Sequence, residues 1–412
     1  MESSTGLLTT LRNRDFLALW IGQLISQIGD NFVYIAGLAL ITSLTDSPLT
    51  FGIVAFCTAA PQVVFGLIGG VFVDRWDRRM VMIVSDILRG IAILALLLIQ
   101  RPEELWILYV VTFLASTVGA FFYPARNAVI PNIVPEESLL TANALVQGSQ
   151  IVAIIVGASV AGLLVGWLGT DFAFVFDSFT FFVSAGAVAT MNIPHGELPA
   201  TRANLRVIWD QLIEGLSFIK NSHTLTNVII TTAIATLGFG AILVLGVVYL
   251  GTELGIGAEG LGFLYAFQGL GVVAGGLLIG QLAHRVPSHY TVSACMTMLG
   301  LATIGFALAP NYPLVLAMVA IIGLSIVAAR AALATMTQAL VPDEKRGRVE
   351  SAVTMVIGAS STLATGLAGV LGEIIGVRAV FFMAGLIIVA SGAAAIYVLR
   401  EAEVARRERW YV

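Results

Sequence analysis

Residues 50–99 read TFGIVAFCTAAPQVVFGLIGGVFVDRWDRRMVMIVSDILRGIAILALLLI, and this stretch decides the fold. Two apolar runs, 50–73 and 79–99, flank a short charged connection that begins at Asp74 and ends at Arg78. A helix that crosses a bilayer needs roughly 20 mostly apolar residues. Each run is therefore long enough to span, and the connection has room only for a turn between antiparallel helices.

Outward from this pair, further runs lie at 16–44, 105–130, 138–168 and 171–192, then at 224–252, 260–283, 289–309, 312–341, 348–374 and 379–399. The expectation is twelve spanning helices in an all-α polytopic membrane protein. Arg12 and Arg14 precede the first run as they would in a signal peptide. That run is too long for one and lacks a small-residue cleavage site, so it is expected to remain in the mature chain. Composition agrees: of 412 residues, 58% are hydrophobic and 11% charged, with a mean hydropathy of +0.95. Soluble chains carry roughly a quarter charged residues. Cys57 and Cys295 both sit inside apolar runs, which argues against a disulfide framework.

The loops set an orientation. With the N-terminus cytoplasmic, that side holds Arg75, Arg78 and Arg79, then Arg202, Arg206 and Lys220, then Arg285, then Lys345, Arg346 and Arg348. The tail adds Arg400, Arg406, Arg407 and Arg409, whereas the opposite side keeps Arg101 and Arg378. Lys/Arg bias in short loops orients membrane proteins, so both termini are expected in the cytoplasm, with the chain in the cell inner membrane.

A shift of 207 residues exposes a repeat. It pairs Gly69 with Gly276, the Val134-Pro135-Glu136-Glu137 turn with Val341-Pro342-Asp343-Glu344, Ala161-Gly162 with Ala368-Gly369, and Phe174 with Phe381. Two six-helix bundles in parallel repeat are implied, an architecture that places substrate at the midplane between halves. The expected domains are 1–192 for the first bundle and 224–412 for the second bundle with its tail. Residues 193–223 form a cytoplasmic linker between them. After Pro194 and Pro199, that linker repeats Leu205, Ile208, Trp209, Leu212, Ile213, Leu216 and Ile219 at helical spacing. This reads as an amphipathic helix lying along the membrane interface.

The stretch Gly70-Val-Phe-Val-Asp74-Arg75-Trp76-Asp77-Arg78-Arg79 resembles the signature loop of the major facilitator superfamily, G-x-x-x-D-[RK]-x-G-[RK]-[RK], with Asp77 in place of its second glycine. RNRDFLALWIGQLISQIGD (12–30), FFYPARNAVIPNIVPEE (121–137) and FVFDSFTFF (174–182) resemble the drug:proton antiporter-3 branch, which includes macrolide-efflux proteins and siderophore exporters. The resemblance covers essentially the whole chain. It implies that Asp74 latches the two halves at the cytoplasmic side, with Arg126 the candidate basic partner. Residues 157–162, Gly-Ala-Ser-Val-Ala-Gly, resemble the antiporter motif G-P-x-x-G-G, but alanine replaces the proline that would kink the helix.

Few ionisable groups interrupt the spans: Asp30, Asp86, Arg89, Asp177 and Arg330. A charge at the bilayer centre costs about 2.5–3.5 kcal/mol on insertion scales, so such groups face a cavity or a partner. Asp30 shares one helical face with Gln23, Gln27, Asn31 and Tyr34, and Asn143, Gln147 and Gln150 form a second polar stripe. Asp30, Asp177 and Asp86 are the candidates for proton coupling. Gln23, Gln27, Asn31, Tyr34, Gln62, Arg89, Asn143, Gln147 and Arg330 are the candidates for lining the substrate cavity. Plainer roles stay open: Asp86 and Arg89, three apart, can neutralise each other, and Gln and Asn stripes also serve as interhelical glue.

Soluble chemistry is missing from the sequence. There is no G-x-x-x-x-G-K-[ST] loop for ATP, and His195, His223, His284 and His289 lack metal-ligand spacing. Nothing reads as a nucleic-acid surface. The expected protein is a secondary active transporter without cofactor and not an enzyme. It would work as a monomer and use the proton gradient to export a hydrophobic or amphipathic small molecule. The alternatives are a lipid or lysolipid flippase of the same fold, and a membrane receptor or scaffold without transport.

Overall fold

The computed structural model describes residues 3–73, 76–193, 205–282, 286–342 and 345–400. Asp74, Arg75, Pro194, His195, Pro199, Arg202, His284, Arg285, Asp343, Glu344 and the arginines beyond 400 lie outside the described residues. Among those described, twelve helices are long and apolar enough to cross a membrane.

A short helix α1 (Ser3–Arg12) precedes the spans and was not expected from the sequence. The first half continues with α2 (Arg14–Leu44), α3 (Pro48–Val73), α4 (Arg78–Leu94), α5 (Trp106–Ile133), α6 (Leu139–Val152), α7 (Ala158–Leu168) and α8 (Thr170–Thr190). Helix α9 (Leu205–Asn221) occupies the linker. The second half comprises α10 (His223–Val248), α11 (Ala258–Leu282), α12 (Ser288–Leu308), α13 (Tyr312–Leu340), α14 (Arg346–Ile375) and α15 (Val377–Val398).

Local chemistry explains the helix starts. The Asn13 side chain accepts from the Phe16 N–H, Ser222 from Leu225 and Asn311 from Leu314, each satisfying an orphan donor of a first turn. Asp77 does the same for α4, accepting from the N–H groups of Arg79 and Met80. The departure from the signature glycine thus supplies a helix cap.

Between α6 and α7 the fifth span passes through a π-turn at Ala153–Gly157. A π-turn is one of the few ways to bend a helix without proline. The hydrogen-bond ladder is therefore interrupted directly before Ala158, where the family motif carries its proline.

The repeat is visible in the backbone. Gly169 joins α7 to α8 and Gly376 joins α14 to α15; both have φ 84°, a conformation that favours glycine, and they are 207 positions apart.

The chain forms two compact units, which follow the halves except at the second span of each. Residues 46–56 belong with 206–256 and 263–412, and residues 257–262 belong with 1–45 and 57–205. In the first unit α8 packs on α2 and α4, and α4 on α5, around Phe16, Leu19, Met82, Phe122 and Val129. In the second, α12 packs on α13 and α15, and α10 on α14, around Val228, Met296, Leu299, Ile322 and Met336.

A glycine-to-glycine contact recurs in each unit, with Gly162 and Gly369 lying 207 positions apart and Gly52 and Gly262 lying 210 apart. Gly162 faces Gly262 within the first unit, and Gly369 faces Gly52 within the second. A side chain at Gly369 would lie 2.6 Å from the Gly52 Cα, too close for carbon. Glu373, one turn further along α14, accepts from the Ser47 hydroxyl at 2.7 Å and from the Leu49 N–H, holding the start of α3. Gly369→Leu is therefore expected to cost about 1–3 kcal/mol by overpacking. Its half-life at a fixed temperature in detergent should fall several-fold, whereas Gly66→Leu, where nothing among the described residues lies within 4 Å, should leave it unchanged.

Candidate functional site

The scattered span charges of the first half converge. Glycines make the crossings close: a side chain at Gly29 of α2 would overlap the Asp177 carboxylate and the Thr180 hydroxyl of α8, and Gly90 of α4 abuts Phe181 and the Ser178 carbonyl. Asp177, on α8, is fully buried. Its Oδ1 accepts from the Thr180 hydroxyl at 3.1 Å, while Oδ2 has no partner among the described residues.

Asp86 is also fully buried and pairs through Oδ1 with Nη2 of Arg89 on the same helix. The Arg89 guanidinium is held between two rings, 4.7 Å from the centre of Phe122 and 4.4 Å from that of Phe181. Aromatic faces attract a cation most strongly where water is excluded. Even so, Arg89 Nε and Asp86 Oδ2 lack partners among the described residues. Asp30, on α2 beside Gly29, is partly exposed and lies in the field of Arg89 and Asp86. Both polar atoms of the Gln27 side chain, one turn before it, are buried without partners among the described residues.

Tyr123 of α5 sits among Asp30, Asp86, Arg89 and Arg126. Arg126 itself is buried, with its guanidinium 5.3 Å from the Tyr123 ring and its Nε and Nη2 donating to Asn127 Oδ1. The structure thus places the expected latch partner with the interior charges; its counterpart Asp74 lies outside the described residues. Tyr123, Thr180, Phe122 and Phe181 were not singled out from the sequence, although all four fall in the quoted stretches 121–137 and 174–182.

Other candidates serve packing or stand apart. Gln23 is buried and donates to the Ser184 hydroxyl at 3.2 Å, tying α2 to α8. Gln62 donates to Ser116 O at 3.0 Å, tying α3 to α5. Asn31 donates to the Gln27 carbonyl and faces Gly157 of the π-turn. Asn143 bonds Leu139 O within its own helix. Tyr34, Gln147 and, in the second unit, Arg330 are exposed. At the 207-residue offset, Asp30, Asp86, Arg89 and Asp177 correspond to Leu237, Ser293, Met296 and Ala384, so charge is concentrated in one repeat.

At the basic end, Arg78 donates to Ala128 O at 3.1 Å, and Arg79 donates to the carbonyls of Val188 and Ala189 that end α8. A cation there complements the negative end of the helix dipole. Asn13 donates to Ile133 O at 2.6 Å, and Asp15 accepts from the Asn192 N–H. Asn13 and Asp15 of the RNRDF opening, and Arg78 and Arg79, therefore fasten helices of the first unit.

Comparison with known proteins places these features in context. Residues 5–410 match the model of the transmembrane secretion effector family. Macrolide efflux protein A of Streptococcus pyogenes is 25% identical over 383 residues, covering 91% of this chain and 93% of that protein. The multidrug efflux pump Tap of Mycobacterium bovis (strain BCG / Pasteur 1173P2) is 28% identical over 418 residues, covering 96% of each. Among solved structures, an inward-facing bacterial homologue of the iron transporter ferroportin superposes with a TM-score of 0.75, at 15% identity, over 94% of this chain and 99% of that one.

Proposed function

Because the chain belongs to the transmembrane secretion effectors of the major facilitator superfamily, which are transporters and not enzymes, we propose that it is a proton-driven exporter of a hydrophobic or amphipathic small molecule. It works by alternating access in the cell inner membrane, as a monomer with both termini cytoplasmic. The observation that carries this reading is the gathering of Asp30, Asp86, Arg89 and Asp177 inside one six-helix unit. Buried carboxylates of this kind are costly inside a membrane-spanning body. A carboxylate that meets water on alternate sides can then exchange a proton for cargo. The names of the relatives, macrolide efflux and multidrug efflux, support a cargo of this class. The test is flux of a macrolide and of a lipophilic cationic dye in proteoliposomes. Accumulation should require an imposed pH gradient, and accumulation independent of any gradient would overturn the coupling.

Two further outcomes follow. A reporter fused after Val412, or within 196–203, should be active only in its cytoplasmic form, and a periplasm-active fusion would reverse the orientation. Asp74→Asn should leave insertion intact while raising cytoplasmic thiol accessibility at the ends of spans four and eleven, because the family latch is lost. If accessibility and transport both match the unaltered protein, Asp74 has no latch role.

A further inference from the structure

Helix α9 carries its apolar residues on two sides. One side is docked: Leu212 and Ile219 are buried, and Gly215 sits so close to the Arg348 carbonyl that no side chain fits between them. Glu214 pairs with Arg348, and the Lys345 ammonium lies 5.0 Å from the centre of the Phe218 ring.

These contacts fix the helix beside the start of spanning helix α14. Lys345 and Arg348 stand at the start of spanning helix α14, and Asn221 lies two residues before the start of spanning helix α10. As the seventh and eleventh spans, α10 and α14 begin on the same side of the bilayer. The stretch from Glu214 to Asn221, roughly 10 Å at 1.5 Å per residue, therefore runs between the mouths of two spans at one depth.

The other apolar side is uncovered. Trp209 is 56% exposed, Ile213 48% and Leu216 37%, at positions i, i+4 and i+7, and Lys220 follows one turn later. Asp210, Gln211 and Ser217 are exposed on the remaining surface. We infer that Trp209, Ile213 and Leu216 insert into the headgroup region of the leaflet on the basic-loop side, and that Lys220 reaches the phosphates of its lipids. Indole rings favour that depth, and a lysine can lay its stem along an apolar stripe while its ammonium stays at the surface. The inference concerns the linker alone and stands apart from the proposed cargo and coupling.

The test uses full-length protein carrying Cys57→Ala and Cys295→Ala, with a nitroxide at position 210, 213, 216 or 217. It is reconstituted in phosphatidylcholine vesicles with and without phosphatidylglycerol. Labels at 213 and 216 should collide several-fold more with oxygen than with a water-soluble nickel chelate, and labels at 210 and 217 should show the reverse. Preferential nickel access at 213 and 216 would overturn the inference, and so would shielding from both reagents, which would mean a protein partner covers the stripe. Lys220→Gln should lower the oxygen preference at 216 only in vesicles containing phosphatidylglycerol; an equal effect without it would overturn the phosphate contact. Label-free support comes from brominated lipids, which should quench the unaltered protein more than Trp209→Phe; equal quenching would count against insertion.

Discussion

Arg89→Met should lower folding stability by about 3–5 kcal/mol, the usual cost of leaving one member of a buried ion pair without its partner. The magnitude rests on geometry: Asp86 is fully buried and bonded to Arg89 through one oxygen. Removing the guanidinium also empties the slot between Phe122 and Phe181. The double variant Asp86→Leu/Arg89→Met should recover most of the loss, since replacing a buried pair by apolar residues of similar volume is often neutral or stabilising. Chemical denaturation in mild detergent reads both effects in one double-mutant cycle. A single Arg89→Met protein as stable as its parent would mean that water reaches Asp86 and that the pair holds nothing together. Transport separates a further role: if the pair only neutralises itself, the stable double variant should still pump.

What the sequence reveals about this molecule has a physical boundary. Spans are legible because a bilayer demands length and apolarity of each helix by itself. The expected run 79–99 and the observed helix beginning at Arg78 agree for that reason. Helix α9 was legible from its period, but the split of its apolar residues was not. Spacing marks Leu212 and Ile213 alike as apolar positions, and only Gly215 against Arg348 decides which side docks. The π-turn at Ala153–Gly157 escaped notice because a slipped hydrogen bond leaves no mark in composition, and a lost proline suggested a straight helix. The charged residues were found one at a time as anomalies inside apolar runs. Which of them meet depends on which helices adjoin, and a single sequence carries that only in the small residues that permit close crossing, such as Gly29 and Gly90. The family motif names Arg126 as the candidate partner of Asp74, whereas its burial against Tyr123 is a property of packing.

Among the gathered carboxylates, the second large effect is expected at Asp30. Asp177 is enclosed, close-packed against Gly29 and bonded by Thr180, so a proton there has no open path. Asp86 is committed to Arg89. Asp30 alone of the three is partly exposed, and it still lies in the field of Arg89, so gain or loss of its proton changes the charge balance of the whole cluster. Asp30→Asn preserves size and hydrogen bonding while removing titration. In proteoliposomes it should retain substrate exchange at equilibrium but lose accumulation driven by a pH gradient at least about tenfold, a difference of roughly 1.4 kcal/mol in driving force. Asp177→Asn keeps an oxygen for Thr180 and replaces a carboxylate oxygen that has no partner among the described residues, so it should remain coupled. Raising external pH should then raise uptake into inverted vesicles by the parent and by Asp177→Asn, because both release to that face a proton carried from the lumen on Asp30, and should leave Asp30→Asn flat. Normal pH-driven accumulation by a well-folded Asp30→Asn protein, with loss in Asp177→Asn, would move the proton site to α8 and require that the Gly29 crossing open during transport.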